Sequence, residues 1–172
     1  LVEGGRVISV CVDMGEPILD PHKIPVVTAQ KKAIKMPFSV GDTSYEVTAV
    51  SMGNPHAVIF VLRVDQLNLA LLGPYFEHHP AFPKRTNVEF VEILNPWQAK
   101  MRVWERGSGE TMACGTGACA SLVAAVLCCL MEPKARIDVL GGSLGIEWDR
   151  RNNHVYLTGE AKIVFEGEWI DE

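Results

Sequence analysis

Cys114 and the two glycines close behind it, Gly115 and Gly117, are the residues whose types and spacing best suit chemistry. The run that follows, residues 119–131, is apolar on every side and rich in alanine. It predicts a helix buried on all sides, ended by Glu132-Pro133. At a helix start the backbone N–H groups lack intrahelical partners and the positive end of the dipole faces outward. We therefore expect Cys114 to be a reactive thiol with a lowered pKa, beside N–H groups suited to a carboxylate.

Other uses of this segment have weaker support. Residues 115–120 fit the G-x-G-x-x-A pattern of dinucleotide folds, but residues 107–113 separate them from the nearest predicted strand. No Lys-Ser/Thr pair follows the second glycine, which excludes a P-loop. Cys114 and Cys119 point to different faces of a helix, so their spacing does not predict a metal site. The other cysteines are expected to be small buried side chains: Cys11, Cys119, Cys128 and Cys129.

Three further polar clusters lie at the ends of predicted strands. Glu105-Arg106 precedes a glycine-rich loop and is either a solvated ion pair or a substrate clamp. Asn54 and His56 lie at a strand-turn-strand corner, where a lone histidine is more often structural than catalytic. Residues 85–87, Arg-Thr-Asn, begin a strand. The pair His78-His79 has no third ligand at suitable spacing, so a solvated face is the better interpretation than a metal site.

Composition limits the classes of partner. The 172 residues carry a net charge of −5 without a basic run, which argues against nucleic acid. The longest apolar run is shorter than the roughly 20 residues of a membrane helix. An odd number of cysteines, four of them in or beside one helix, does not predict a disulfide framework and favours reducing, cytoplasm-like surroundings. Because no initiator Met and no signal peptide are visible, we expect the chain to begin in mid-protein.

About ten short segments have the alternation or apolar runs of strands, with turn residues between them. They are residues 6–12, 32–38, 44–52, 56–62, 86–94, 100–105, 135–140, 144–148, 154–158 and 161–165. A short helix at residues 68–72 is expected to be interrupted by Gly73-Pro74. Because strands and helices do not alternate, a doubly wound parallel sheet is disfavoured. The predicted fold class is α+β, with an antiparallel, barrel-like sheet curled around one central buried helix.

Several of these segments together resemble the diaminopimelate epimerase family. The matching pieces, in order, are Val-Asp-Met-Gly at 12–15, Ser-Met-Gly-Asn-Pro-His at 51–56, Arg-Thr-Asn-Val-Glu-Phe at 85–90, the stretch 102–121 with its Ala-Cys-Gly-Thr-Gly-Ala-Cys-Ala core, and Leu-Thr-Gly at 157–159. The cysteine-containing core is the most specific of them. Residues 76–79 and 102–104 resemble the cyanobacterial and plant branch. The resemblance is to the C-terminal part of the enzyme, because the chain begins roughly where the family's first half ends.

The resemblance implies a fold of two pseudo-symmetric halves, each a barrel-like sheet around a central helix, with the active site between them. Each half contributes one cysteine, one as thiolate base and the other as thiol acid, without pyridoxal, metal or other cofactor. Residues 1–12 then correspond to the end of the missing N-terminal half and a lead-in strand. Residues 13–152 form the C-terminal domain, with its helix at about 115–131. Residues 153–172 are closing strands expected to pack on the N-terminal half.

The resemblance also assigns site residues, which act on LL-diaminopimelate to form the meso isomer in lysine biosynthesis. The positions matching the family's catalytic residues are Cys114, Glu105 and His56. Those matching the residues that hold the distal amino-acid end of the substrate are Asn54, Asn87 and Arg106. The backbone N–H groups expected to hold the α-carboxylate are those of Gly115 and Thr116.

Two departures and two alternatives accompany this interpretation. The family's other cysteine has no match here, so the chain alone is expected not to epimerise. Glu160 stands where the family usually has proline. The alternatives are a related same-fold racemase, similar to proline racemase, and a truncated, non-catalytic fragment that binds an amino acid. The expected partners are a small-molecule substrate, the missing half and, in a homodimer, a second copy. The expected location is the bacterial cytoplasm or the plastid stroma of a plant.

Overall fold

The computed structural model describes residues 1–41 and 43–170, which form one large sheet and two α-helices. The first seven strands are β1 (Val2–Glu3), β2 (Arg6–Val7), β3 (Ser9–Asp13), β4 (Met36–Val40), β5 (Thr43–Ser51), β6 (Pro55–Phe60) and β7 (Asn87–Asn95). The remaining strands are β8 (Gln98–Glu105), β9 (Gly109–Thr111), β10 (Lys134–Val139), β11 (Gly142–Asp149) and β12 (His154–Glu160). The helices are α1 (Leu69–Glu77) and α2 (Gly115–Leu127), with a 3-10 turn at Val64–Gln66.

The large sheet has the strand order β3-β12-β11-β10-β8-β7-β6-β5-β4, with β9 paired to β8. Neighbouring strands in this sheet are antiparallel, except for the pairs β6–β7 and β8–β10, which are parallel. The sheet does not close, since β3 and β4 form its two ends. The predicted α+β class is confirmed, with an open sheet that includes two parallel pairs.

Helix α2 is the central element of the fold. Every residue from Gly117 to Ala125 is buried, and the helix packs against strands β5, β6, β7, β10, β11 and β12. It also contacts β8, where the Ser121 hydroxyl lies 3.2 Å from Met101 Sδ. Small residues dominate this stretch, so the strands can approach the helix closely from several sides. The buried central helix predicted from the sequence is confirmed, and its predicted start at Gly115 is correct.

Helix α2 ends at Leu127 rather than near residue 131, and Pro133 is not what ends it. Cys129 has a left-handed φ of 59°, and its N–H donates to Val126 O at 3.1 Å. The N–H of Leu130 donates to Ala125 O at 2.9 Å. These two bonds form a Schellman motif, in which the left-handed position is usually glycine.

We expect Cys129→Gly to raise the free energy of unfolding by up to about 1 kcal/mol. The left-handed conformation costs a residue with a Cβ atom about 1–2 kcal/mol, and the greater freedom of glycine in the unfolded chain offsets part of that gain. Denaturant unfolding of the two proteins measures the difference. Cys129→Ala is the matched control and should not stabilise, because alanine keeps the Cβ atom.

The adjoining parts of three central strands, residues 47–51 of β5, 55–59 of β6 and 87–91 of β7, are buried on both faces of the sheet. One face covers α2. The other face packs against α1 and the segment before β4, where Phe76, Phe82 and Phe90 are fully buried. The ends of these central strands are therefore fixed in position by two cores.

Helix α1 continues through Gly73-Pro74, so the predicted interruption there is wrong. The Asn68 side chain caps the helix by accepting from Leu71 N–H at 3.2 Å. Gly73 is needed at this position because a Cβ atom there would lie 2.3 Å from the Trp104 ring. Close packing of the indole on α1 thus overrides the local tendency of Gly-Pro to end a helix.

The predicted strand at residues 161–165 does not form, and residues 161–170 have no regular secondary structure. Large apolar side chains in this segment are exposed, including Phe165 and Ile170. Strand β12 pairs with β3, so the start and the end of the described chain meet in one sheet. That residues 1–12 and 153–172 contact another half stays a prediction, and residues 171–172 lie outside the described residues. No helix among the described residues is long and apolar enough to span a bilayer.

Candidate active site

The predicted site residues converge at one end of the central strands. His56 pairs with Asn87 in the parallel β6–β7 ladder, and Val88 pairs with Trp104 in the antiparallel β7–β8 ladder. This register brings the starts of β6 and β7 beside the end of β8. The start of α2 lies at the same place, since a Cβ atom on Gly117 would lie 2.7 Å from Glu89 Oε1 and 3.2 Å from Cys114 Sγ.

Two three-residue loops flank this end of the sheet. Ser51 pairs with Pro55 and closes a loop whose central Gly53 has a φ of 96°. Glu105 pairs with Gly109 and closes a loop in which Gly107 has a φ of 81°. Tight loops of this length need a left-handed residue, which glycine adopts without steric cost. The first loop presents Asn54 and the second presents Arg106.

Cys114 is the N-cap residue of α2 and is 8% exposed. Its carbonyl accepts the first intrahelical bond, from Ala118 N–H at 2.9 Å. The amides of Gly115, Thr116 and Gly117 therefore precede the helical hydrogen-bond ladder and can donate to an anion in front of the helix. The Cys114 Sγ atom lies 3.5 Å from the Thr116 hydroxyl.

The expected lowering of the Cys114 pKa is wrong for this chain, because burial of the thiol raises its pKa. The Thr116 hydroxyl and the Gly117 N–H favour the thiolate and lower the pKa, whereas a negative charge on Glu89 or Glu105 would raise it further. The helix-start effect is present, but desolvation of the thiol outweighs it. Cys114 is thus predominantly a thiol at neutral pH.

We expect the rate of Cys114 alkylation by iodoacetamide to rise with pH and to reach half its maximum above the ordinary pKa of a thiol. The thiolate is the nucleophile, and a raised pKa moves its formation to higher pH. Peptide mapping by mass spectrometry distinguishes Cys114 from the exposed Cys11 and Cys129. Thr116→Val should shift the profile to still higher pH, whereas Thr116→Ser should not. A half-maximum below the ordinary thiol pKa would contradict the effect of burial.

His56 and Glu89 form a buried pair beside the helix start. His56 Nδ1 lies 2.7 Å from Glu89 Oε1, and both side chains are fully buried. His56 Nε2 lies 3.0 Å from Asn54 Oδ1. Burial raises the pKa of Glu89, and the charge of Glu105 acts in the same direction. Glu89 was not among the predicted site residues, although an acidic residue inside an apolar strand signals a buried polar site.

Glu105 and Arg106 lie at the loop that follows β8. Glu105 Oε1 accepts a hydrogen bond from the Thr111 hydroxyl at 2.5 Å. Arg106 is exposed and does not pair with Glu105; its guanidinium donates to Lys84 O at 3.1 Å. The simple ion-pair interpretation of Glu105-Arg106 is therefore not what the structure shows.

Asn87 connects the two loops through its side-chain amide. Its Oδ1 accepts from Arg106 N–H at 3.0 Å, and its Nδ2 donates to Pro55 O at 3.0 Å. Asn87 is buried. Asn87 thus fixes the backbone at Arg106 relative to the start of β6. Its predicted contact with substrate stays a prediction.

Glu77 is a second acidic residue that the sequence reasoning missed. It is buried at the end of α1 and accepts from Trp104 Nε1 at 2.8 Å and from Gly107 N–H at 3.0 Å. These bonds attach the loop carrying Arg106 to helix α1. Its position after Phe76 in an apolar helix was the available signal.

The remaining candidates lie outside this group. Arg85 is exposed and lies 3.7 Å from Glu77, His78 is exposed, and His79 packs on Phe38 with ring centroids 4.2 Å apart. Cys119 and Cys128 are buried as predicted, but Cys11 and Cys129 are exposed, which corrects the expectation for those two. Within residues 1–41 and 43–170, no group of three or more His, Cys, Asp or Glu side chains is placed to hold a metal ion.

Comparison with known sequences supports one family. Residues 48–164 match the family model described as diaminopimelate epimerase. A diaminopimelate epimerase from Desulfovibrio desulfuricans is 53% identical over 98% of this chain and 61% of its own length. One from Acetivibrio thermocellus is 56% identical over 97% of this chain and 60% of its own length. The chain therefore spans about 60% of the length of the curated relatives it matches.

A relative from Thermosynechococcus vestitus is also 53% identical, over 92% of this chain and 58% of its own length. Identity by itself therefore does not assign the chain to one branch of the family. Among solved structures, a hydroxyproline epimerase from Agrobacterium vitis superposes with a TM-score of 0.62 at 14% identity, covering 92% of this chain and 51% of that one. A probable proline racemase from Agrobacterium radiobacter gives 0.62 at 11% identity, over 96% and 56% of the two chains. These two similarities concern the fold alone.

Proposed function

Because this chain belongs to the diaminopimelate epimerase family, we propose that it supplies one side of the active site that converts LL-diaminopimelate to the meso isomer. The observation that carries the proposal is the position of Cys114. Its thiol is at the mouth of the buried helix α2, with the Thr116 hydroxyl 3.5 Å from the sulfur and two acidic side chains nearby.

The proposed reaction moves one proton off the α-carbon and another onto its opposite face. A thiolate removes the α-proton and becomes a thiol, and the C–H electron pair stays on carbon as a carbanion. A thiol on the other side then donates its proton to that carbon and becomes a thiolate. Cys114, which burial keeps protonated, suits the donor role in the forward direction. The second cysteine is expected from a part of the enzyme other than residues 1–172, so this chain alone should not epimerise.

The start of α2 suits stabilisation of the charge that develops during this reaction. The N–H groups of Gly115 and Thr116 are proposed to hold the α-carboxylate, over which the carbanion charge spreads. Fixed donors in a site that excludes water stabilise such charge without having to reorganise. His56 and Glu105 would lie beside the reacting carbon. Acid–base chemistry by two cysteines needs no cofactor, and we propose none.

The distal amino-acid end of the substrate would lie against the two loops. Arg106 is exposed and offers a planar guanidinium, which matches a carboxylate in two parallel hydrogen bonds. Asn54 is half-buried at the first loop, and Asn87 fixes the backbone beside Arg106. We propose that this side selects a substrate with an amino-acid group at both ends.

The test is incorporation of solvent deuterium at the α-carbon in deuterated water, followed by mass spectrometry and chiral chromatography. The complete enzyme containing this chain should label diaminopimelate as it forms the second stereoisomer. It should leave proline and hydroxyproline unlabelled. Labelling of proline instead would support the related racemase, and binding of diaminopimelate without labelling would support a non-catalytic binding fragment.

The proposal extends to the surroundings of the enzyme. A second cysteine-bearing half of the same enzyme is the expected partner, and a homodimer is compatible with it. The negative net charge argues against a nucleic-acid partner. Lysine biosynthesis places such an enzyme in the bacterial cytoplasm or, in a plant, in the plastid stroma.

A further inference from the structure

We propose that Glu89 is a positioning residue, which acts in its neutral form through His56 to fix the orientation of the Asn54 amide. Two successive contacts carry the inference: Glu89 Oε1 lies 2.7 Å from His56 Nδ1, and His56 Nε2 lies 3.0 Å from Asn54 Oδ1. The inference deepens the proposed function and rests on it for the identity of the reaction. It assigns a role to a buried acid that the proposed proton transfers do not use.

The surroundings of Glu89 favour the neutral acid. Its side chain is fully buried, and its second oxygen, Oε2, has no hydrogen-bond partner among the described residues. An unpaired oxygen on a buried carboxylate is more costly than the carbonyl oxygen of a neutral acid, because the charge is then desolvated as well. The titratable groups facing it are His56, Glu105 and Cys114, and burial raises the pKa of Glu89 despite the histidine.

A neutral Glu89 determines the direction of both hydrogen bonds. Its O–H donates to His56 Nδ1, so the proton of the neutral imidazole is on Nε2. The Nε2–H then donates to Asn54 Oδ1. This fixes the Asn54 amide with its oxygen toward His56, and leaves its two amide N–H bonds available to a ligand. These donors suit a carboxylate.

Glu89 is also close to the catalytic thiol. A Cβ atom added to Gly117 would lie 2.7 Å from Glu89 Oε1 and 3.2 Å from Cys114 Sγ, so both atoms border the same small space. A charged Glu89 would disfavour a carbanion forming there and any thiolate at Cys114. A neutral acid positions His56 without adding that repulsion.

The experiment combines nitrogen NMR of the His56 ring with the kinetics of two variants. In the wild-type protein at neutral pH, we expect Nδ1 to be an unprotonated acceptor and Nε2 to carry the proton. Glu89→Gln should keep this tautomer, since its amide N–H can donate to Nδ1, and should keep kcat/KM within a few-fold. Glu89→Met should lose the tautomer preference and about 10²-fold in kcat/KM, the loss expected when a reacting group is misplaced.

The matched control is Glu92→Gln on the same strand, where Glu92 accepts from Val64 N–H at 2.9 Å, away from the site. It should leave both the His56 signals and kcat/KM unchanged. A His56 protonated on both nitrogens in the wild-type protein would overturn the inference, because Glu89 would then be ionised. Equal losses in Glu89→Gln and Glu89→Met would also overturn it.

The two arms separate this inference from the proposed function. The NMR measurement needs no substrate and no variant. A complete enzyme that does not label diaminopimelate, but whose His56 has the stated tautomer, would overturn the proposed function and support the hydrogen-bond arrangement around Glu89. An active enzyme with a doubly protonated His56 would support the function and overturn the role of Glu89.

Discussion

Replacing Cys114 with alanine in the complete enzyme that contains this chain is expected to abolish formation of the second stereoisomer of diaminopimelate. Solvent deuterium should consequently not appear at an inverted α-carbon. A positioned acid–base group contributes about 10²–10⁴-fold to the rate, and no neighbouring group can take over from the same face. Chiral separation of the products in deuterated water, with mass detection, measures both effects.

Cys119→Ala is the matched control for this prediction. Cys119 is fully buried one turn farther along α2, and burial raises its pKa to about 12, so it is an inert part of the core. Its replacement should cost stability but leave the deuterium label in the product. If the Cys114 variant still formed the second isomer at the wild-type rate, Cys114 could not be the acid–base group.

Gly117→Ala is expected to lower kcat/KM by about 10²-fold, mainly through kcat. The new methyl group would lie 2.7 Å from Glu89 Oε1 and 3.2 Å from Cys114 Sγ, and each of these groups would have to move. Glu89 cannot move freely, because it is buried and bonded to His56. The substitution would thus displace the thiol and the His56 side chain together, while alanine itself suits a helix.

Gly145→Ala is the control for adding a methyl group elsewhere. Its new Cβ atom would meet Thr158 at 3.6 Å, an ordinary contact, and Gly145 lies on β11 outside the site. Steady-state kinetics together with thermal unfolding separate loss of activity from loss of folded protein. A Gly117→Ala enzyme with wild-type kcat would show that the space between Glu89 and Cys114 is not important for the reaction.

Much of the fold follows from local patterns. Nine of the ten predicted strands overlap observed strands. Alternating apolar and polar residues indicate a strand with one buried face, and turn residues mark where the strand ends. The start of α2 follows from an apolar, alanine-rich run behind glycines. Three predictions failed. The strand at residues 161–165 has no neighbouring strand, the helix continues through Gly73-Pro74 in contact with Trp104, and α2 ends at Leu127 in a Schellman motif.

The sequence by itself determined that Cys114 begins a buried helix, and the family motifs identified the residues around it. Only the tertiary structure showed that Glu89 bonds to His56 and that Glu77 holds the Arg106 loop. It also reversed the expected direction of the Cys114 pKa. The reason is physical: helix starts and strand faces depend on near neighbours in the chain. Desolvation and charge at a thiol depend on groups brought together from distant strands, whose distances no local pattern specifies.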